Sequence, residues 1–361
     1  MSLADQLRKV QLKSPKEPMK DFSSPRVSGG FVSDTEIAEY QNSVLDVNTE
    51  LWLDLLADVT FPTEYCAIER HEAKLFISVF ERLYRNLDPS GISQVEWREH
   101  LSPDEHEIVK SMTDRLSKTM HKFTSDGGSA FVKTSSRSPK DAPLAQTRFK
   151  EMYVSHLAEA DDSQTTSENT KITCLLQAAF EALRVKSADE VLDMMFRSER
   201  IYQDMLLAVQ IEDRFCENFV IRQFVPIDVD MEFRGFVYGK QLVALSQYNY
   251  LIHSKRLVEK RSQISDLIRD FFNTQVTSRL KSHKTFPDNF VIDFAVCDEG
   301  DKIWVIEINP FLSTTDGALF SWEHERRLLE GEEGFVFRLV EREKPGATAM
   351  LPLGIKALLQ S

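Results

Sequence analysis

Near its C-terminal end the chain alternates apolar residues around a short polar turn. Phe290–Phe311 reads FVIDFAVCDEGDKIWVIEINPF. Two runs rich in Val, Ile, Phe and Trp flanking CDEGDK predict a β-hairpin. With the turn centred on Gly300, Asp293 falls opposite Glu307, and successive side chains alternate faces. One face then carries Ile292, Phe294, Val296, Trp304, Ile306 and Ile308 and predicts a core. The other carries Asp293, Glu307 and Asn309. Opposed like charges destabilise a strand pair. Partly buried, both carboxylates stay ionised only beside a compensating cation. Two carboxylates and an amide are hard oxygen donors of the kind that suit Mg²⁺, which takes phosphate oxygens as further ligands.

A second hairpin is predicted over Met231–Asn249, turning at Gly239-Lys240. That turn places Glu232 opposite Gln247, with Arg234 on the same face. The preceding Glu217–Asp230 reads as a buried strand that breaks at Arg222-Gln223-Phe224-Val225-Pro226, where backbone groups could meet a nucleotide base. Upstream, Phe131-Val132-Lys133 reads as a short strand entering the polar loop TSSRSPKDA. Lys133, Arg137 and Lys140 in that hydroxyl-rich setting suit phosphates.

Elsewhere the period is helical. Trp52, Leu55, Leu56 and Val59 recur at helix spacing, as do Leu75, Phe76, Val79, Phe80 and Leu83, so residues 36–122 read as a helical region. Ser102-Pro103-Asp104-Glu105 is a helix start, and Ser187 a second one. Residues 1–35 are polar and predicted disordered, and 156–171 reads as a mobile insertion. Residues 172–210 are helical, and a helix is expected near Val258–Leu280. Strands and helices mix without βαβ alternation, so the fold class is α+β with antiparallel sheets. GxGxxG and GxxxxGK[ST] are both absent.

Composition narrows the function classes. The 361 residues carry a net charge of −13 without a Lys/Arg block, which argues against non-specific nucleic-acid binding as the main activity, though a local basic groove remains compatible. Four scattered cysteines predict reduced thiols rather than disulfides or zinc. Without an apolar run long enough to span a bilayer or a signal-peptide core, the expectation is a soluble, cytoplasmic protein.

The stretches MEFRGFVYGKQLVALSQYNY, FVIDFAV and KIWVIEINPFLSTTDGALFSWE, in this order, resemble the cell division cycle 123 protein family, an ATP-grasp architecture. FVKTSSRSPKDA resembles the family's phosphate-side segment. The resemblance implies two α+β lobes with ATP between them: residues 123–217 and 218–325, with a C-terminal segment over 326–361. It implies that Lys133, Arg137 and Lys140 meet phosphate and that Gln223, Phe224 and Val225 form the hinge against adenine, with Arg222 close by. Glu232, Arg234 and Gln247 would line the cleft, and Asp293, Glu307 and Asn309 would bind Mg²⁺. Glu307 stands where family members often have Asp. Eukaryotic members assemble translation initiation factor 2, so the implied partner is its gamma subunit. Two further readings remain open: an ATP-grasp ligase or nucleotidyl or phosphoryl transferase acting on a protein or RNA, and a cleft that has lost ATP.

Overall fold

The computed structural model describes residues 34–351, apart from 88, 161–166, 211–213 and 284. Of the segment 1–35 expected to be disordered, 1–33 lie outside these residues and Asp34-Thr35 begin a helix; the centre of the 156–171 insertion and 352–361 also lie outside.

Strands and helices segregate into two lobes. The first contains a four-stranded sheet in the order β1 (Thr63–Ile68), β4 (Glu217–Gln223), β2 (Ala130–Thr134), β3 (Arg184–Val185), all antiparallel. One face of this sheet is covered by α3 (Arg70–Leu83), α4 (Pro103–Thr124), α7 (Ala188–Arg197) and α8 (Glu199–Ala208). Together they bury Phe76, Leu116, Val132, Phe196 and Phe219. The predicted start at Ser102 is a capping box: the Glu105 amide donates to Ser102 Oγ, and Glu105 returns a carboxylate to the Ser102 amide at 2.8 Å. The second lobe is a five-stranded sheet ordered β8 (Lys302–Pro310), β7 (Phe290–Cys297), β5 (Glu232–Tyr238), β6 (Gln241–Gln247), β9 (Val336–Arg338). Its pairs are antiparallel except β6 with β9. The helix expected near 258–280 is there as α9 (Arg261–Phe271), followed by a π-helical turn at Phe272–Val276. Ile264, Ile268, Phe272 and Val276 pack on Phe233, Ile292 and Phe294.

Four expectations change. The region 36–122 is not purely helical, because β1 joins the first sheet, and β4 belongs to that sheet rather than to the second lobe. The C-terminal segment contributes β9. The insertion is helical on both sides of 161–166, forming the end of α5 (Thr147–Ala160) and the start of α6 (Glu168–Glu181). Ser167 caps α6, and Glu168 anchors it by accepting from the amides of Gly346 and Thr348 at 2.8 Å each.

The hairpins form where expected, but each contains a bulge. Asp293 does lie opposite Glu307; beyond it the register slips, so Phe294 faces Val305 and Ala295 faces Trp304. Ile306 is the extra residue. The core face is therefore completed by Ile303, Val305 and Ile308, while Trp304 and Ile306 turn to a small cluster with Phe61, Ile227 and Ala295. In the second hairpin the slip falls between Phe236 and Val237, pairing Gln247 with Phe233.

One segment ties the lobes together. Before β1 begins, the Val305 amide donates to Val59 O at 2.8 Å and Thr60 Oγ1 donates to Val305 O at 2.7 Å. The same run then becomes an edge of the first sheet. α1 (Asp34–Leu45) and α2 (Thr49–Trp52) precede it and close one side of the space between the sheets.

Candidate functional site

Between the sheets lies a polar cleft of about 290 Å³, at the small end of the range for ligand pockets. Strand alternation builds its floor from Arg234 of β5 and Glu307 and Asn309 of β8, and Asp293 of β7 shares their face without lining the cleft itself. Lys133 of β2 enters from the opposite lobe, and the loop after it adds Ser135, Ser136, Arg137, Ser138 and Lys140.

The opposed carboxylates are balanced by side chains. Arg234 grips Asp293 through two bonds, Nε to Oδ1 and Nη2 to Oδ2, each 2.8 Å. Both residues are deeply buried, Asp293 at 2% exposure. Such a bidentate pair is the strong form of a charge-assisted hydrogen bond. Lys133 Nζ lies 3.7 Å from Glu307 Oε2. Burial pushes the Glu307 carboxyl up, but Lys140, Lys133 and Arg234 outweigh it and hold the group well below the usual carboxylate range. Burial raises Asp293 against the pull of Arg234, and it lowers Lys133 against the pull of Glu307. Arg234 is raised, because Asp293 overcomes its desolvation. The compensating cations that the sequence demanded are thus already present as Arg234 and Lys133.

The oxygen set nonetheless fits a metal in part. Glu307 and Asn309 line the cleft. Asn309 turns its Nδ2 toward Glu307 Oε1 (3.3 Å) and Asp293 Oδ2 (3.4 Å), so as a ligand it would present Oδ1 instead. Asp293 would have to release Arg234 to become a direct ligand. A bound ligand is also favoured by two orphaned acceptors. Asn48 Oδ1 and Thr314 Oγ1 are buried without a hydrogen-bond partner, and both residues line the cleft. Asn48 sits at the N-cap of α2 and yet makes no capping bond with its side chain.

The basic loop is held from behind. Asp204, buried on α8, accepts from Thr134 Oγ1 (2.8 Å) and Ser136 Oγ (2.5 Å). Arg137 reaches Tyr40 Oη on α1 at 3.1 Å, and Lys140 donates to Tyr248 Oη at 3.0 Å. Thr49 Oγ1 donates to Ser135 O, while Glu50 Oε1 accepts from Ser135 Oγ and Asn218 Nδ2. The N-terminal helices are therefore part of the cleft wall.

Several expected site residues are not among those that line this cleft. Gln247 is fully buried on the opposite face; it donates to Asn249 O and Ile252 O and accepts from the Val340 amide. The bulge in β6 is the reason it does not face Glu232, whose carbonyl instead accepts from the Tyr248 amide at 3.0 Å. Arg222 spans the lobes, donating to Ile306 O (2.5 Å), Thr60 Oγ1 (2.5 Å) and Thr63 Oγ1 (3.3 Å). Burial brings it down to about 10. The amides of Gln223 and Phe224 donate to Pro62 O and Ser129 O. Val225 packs in the apolar cluster with Ile227 and Trp304. Sequence reasoning missed Asn48, Arg200, Asp204, Tyr248 and Asp316. Only Asp204 had a clear signal: an acid between Ile201 and Met205 on the apolar side of a helix.

The D123 family model matches residues 174–353. A protein of Phaeosphaeria nodorum named "Cell division cycle protein 123" is 35% identical over 106 residues, 29% of this chain and 26% of that one. The "Translation initiation factor eIF2 assembly protein" of Schizosaccharomyces pombe is 30% identical over 155 residues, 39% and 44% of the two chains. A Xenopus laevis protein of the same name is 32% identical over 136 residues, 35% and 38%. The matches thus span less than half the length of these curated relatives. The solved structure of Cdc123 from Schizosaccharomyces pombe superposes with a TM-score of 0.55 at 21% identity, covering 83% of this chain and 98% of that one. The fold is therefore the ATP-grasp-like, two-lobed α+β fold of that structure. The similarity of this chain to the D123 family extends over residues 174–353, just under half of its length.

Proposed function

We propose that the chain binds Mg²⁺-ATP between its lobes and acts as an ATP-dependent assembly factor for the translation initiation factor 2 complex, engaging its gamma subunit. The observation that carries the nucleotide reading is the convergence of Lys133, Arg137, Lys140 and Arg234, drawn from both lobes, on a cleft that also presents Glu307 and Asn309. Phosphates would lie against these cations, and the base toward Val225 and Ile227. Asp293, Glu307 and Asn309 would hold Mg²⁺, which supplies charge neutralisation at the phosphates. Arg234 would pass from Asp293 to phosphate, freeing that carboxylate for the metal. The assembly role rests on the names of the relatives, and the cytoplasmic location follows from it.

Calorimetry of ATP with and without Mg²⁺, on the wild type, Asp293→Asn and Glu307→Gln, tests the site. The expectation is metal-dependent binding that both variants lose; equal affinity in all three would overturn it. Incubation with Mg²⁺-ATP and cell extract tests the assembly role. A gamma-subunit pull-down without turnover supports it, whereas ADP or AMP release with a labelled protein or RNA would mark a ligase or transferase.

A further inference from the structure

The cations of the cleft are unevenly balanced. Arg234 and Lys133 face Asp293 and Glu307. Arg200 and Lys140 also line the cleft, and among the described residues no carboxylate lies within 4.0 Å of either cationic group. Lys140 Nζ donates to the Tyr248 hydroxyl and lies over its ring, with the charges of Glu307 and Glu232 farther off. Arg200 is half-buried near the start of α8, and the structure fixes it at two points. Its amide donates to Asp141 Oδ2 at 3.2 Å, and its Nε donates to Ser138 O at 3.1 Å. Asp141, the nearest acid in the loop, is meanwhile engaged by Ser198 Oγ at 2.6 Å. Nε is therefore tied to the basic loop, while the terminal nitrogens of the fork have no partner among the described residues and can meet a ligand. A guanidinium held this way is pre-organised to bond two oxygens of a carboxylate or phosphate.

We infer that Arg200, with Lys140, forms an anion subsite for the terminal phosphate of a polyphosphate chain, giving the cleft a preference for a triphosphate over a monophosphate. This rests on the nucleotide reading above and adds to it a residue from outside the hairpins. The subsite adjoins Ser138 and Arg137, so the chain of phosphates would run from the Glu307 end toward α1.

The full-length protein should be titrated calorimetrically with inorganic tripolyphosphate in the absence of Mg²⁺, and separately with AMP and ATP in its presence. For Arg200→Gln the expected result is a loss of roughly tenfold or more in tripolyphosphate and ATP affinity, the range of a charge-assisted hydrogen bond. AMP affinity should be unchanged. Arg200→Lys should retain part of the binding, and circular dichroism should show both variants folded. Equal tripolyphosphate affinity in wild type and Arg200→Gln, or no tripolyphosphate binding to the wild type, overturns the subsite. Loss of AMP and ATP binding by the same factor also overturns it, since Arg200 would then act through the loop. Tripolyphosphate binding that depends on Arg200, with no binding of either nucleotide, upholds the subsite and overturns the nucleotide reading alone.

Discussion

Glu232 opens β5 with its carboxyl pushed up to about 7. Burial is the main cause; Asp293 and Glu307 add to it, against Lys140 and Arg234. An ordinary glutamate in the unfolded chain titrates near 4.5. Between those values the folded protein keeps a proton that the unfolded chain releases, so this residue makes stability fall as pH rises through the window and level off above it. With partial exposure discounted, the effect is on the order of 2 kcal/mol. Urea unfolding of the wild type and Glu232→Gln from pH 4.5 to 8 should give curves whose separation changes across the window; parallel curves would rule this out. Residue types were what the sequence displayed best. Asp293, Glu307 and Arg234 stood out as charges inside apolar strands, and they do share one face. Their pairing was hidden, because Arg234 and Asp293 lie on strands far apart in sequence, and only the sheet order makes them neighbours.

The hairpins were legible as elements and misread only at their bulges. An inserted residue leaves the apolar pattern almost unchanged while shifting every later partner by one. That shift moved Trp304 and Ile306 off the core and sent Gln247 away from Glu232. The bulge at Ile306 also frees a carbonyl that Arg222 takes up. Arg222 therefore acts as a brace between β4, the bulge of β8 and the run before β1. Its substitution should be costly whether or not nucleotide binds. Arg222→Met removes three hydrogen bonds from a charged donor and leaves buried acceptors behind, for about 2–4 kcal/mol of destabilisation by urea unfolding. Arg222→Lys should recover little, since an ammonium cannot reach Ile306 O, Thr60 and Thr63 from one fixed fork. Wild-type stability in Arg222→Met would refute the brace.

At the scale of the molecule, the two-lobed α+β plan could be read from the strand-rich stretches, but the share of the N-terminal region in it could not. Thr63–Ile68 is short and sits among strong helical periods, so nothing local marks it as the partner of a strand some 150 residues later in the chain. The region reads as helical from its periods; instead α1 and α2 line the cleft, β1 pairs with β4, and the run before β1 bonds to β8. This has a practical consequence for dividing the gene product into parts. A version beginning after residue 122 would keep every residue of the two strand hairpins yet strip β1 from β4 and remove α3 and nearly all of α4 from the face of that sheet. The row of backbone groups so uncovered is a template for pairing with another chain. Such a fragment should self-associate, visible as a concentration-dependent rise in mass by light scattering that exceeds any seen for the full chain. A monodisperse, folded fragment would mean that the first 122 residues are a detachable module after all.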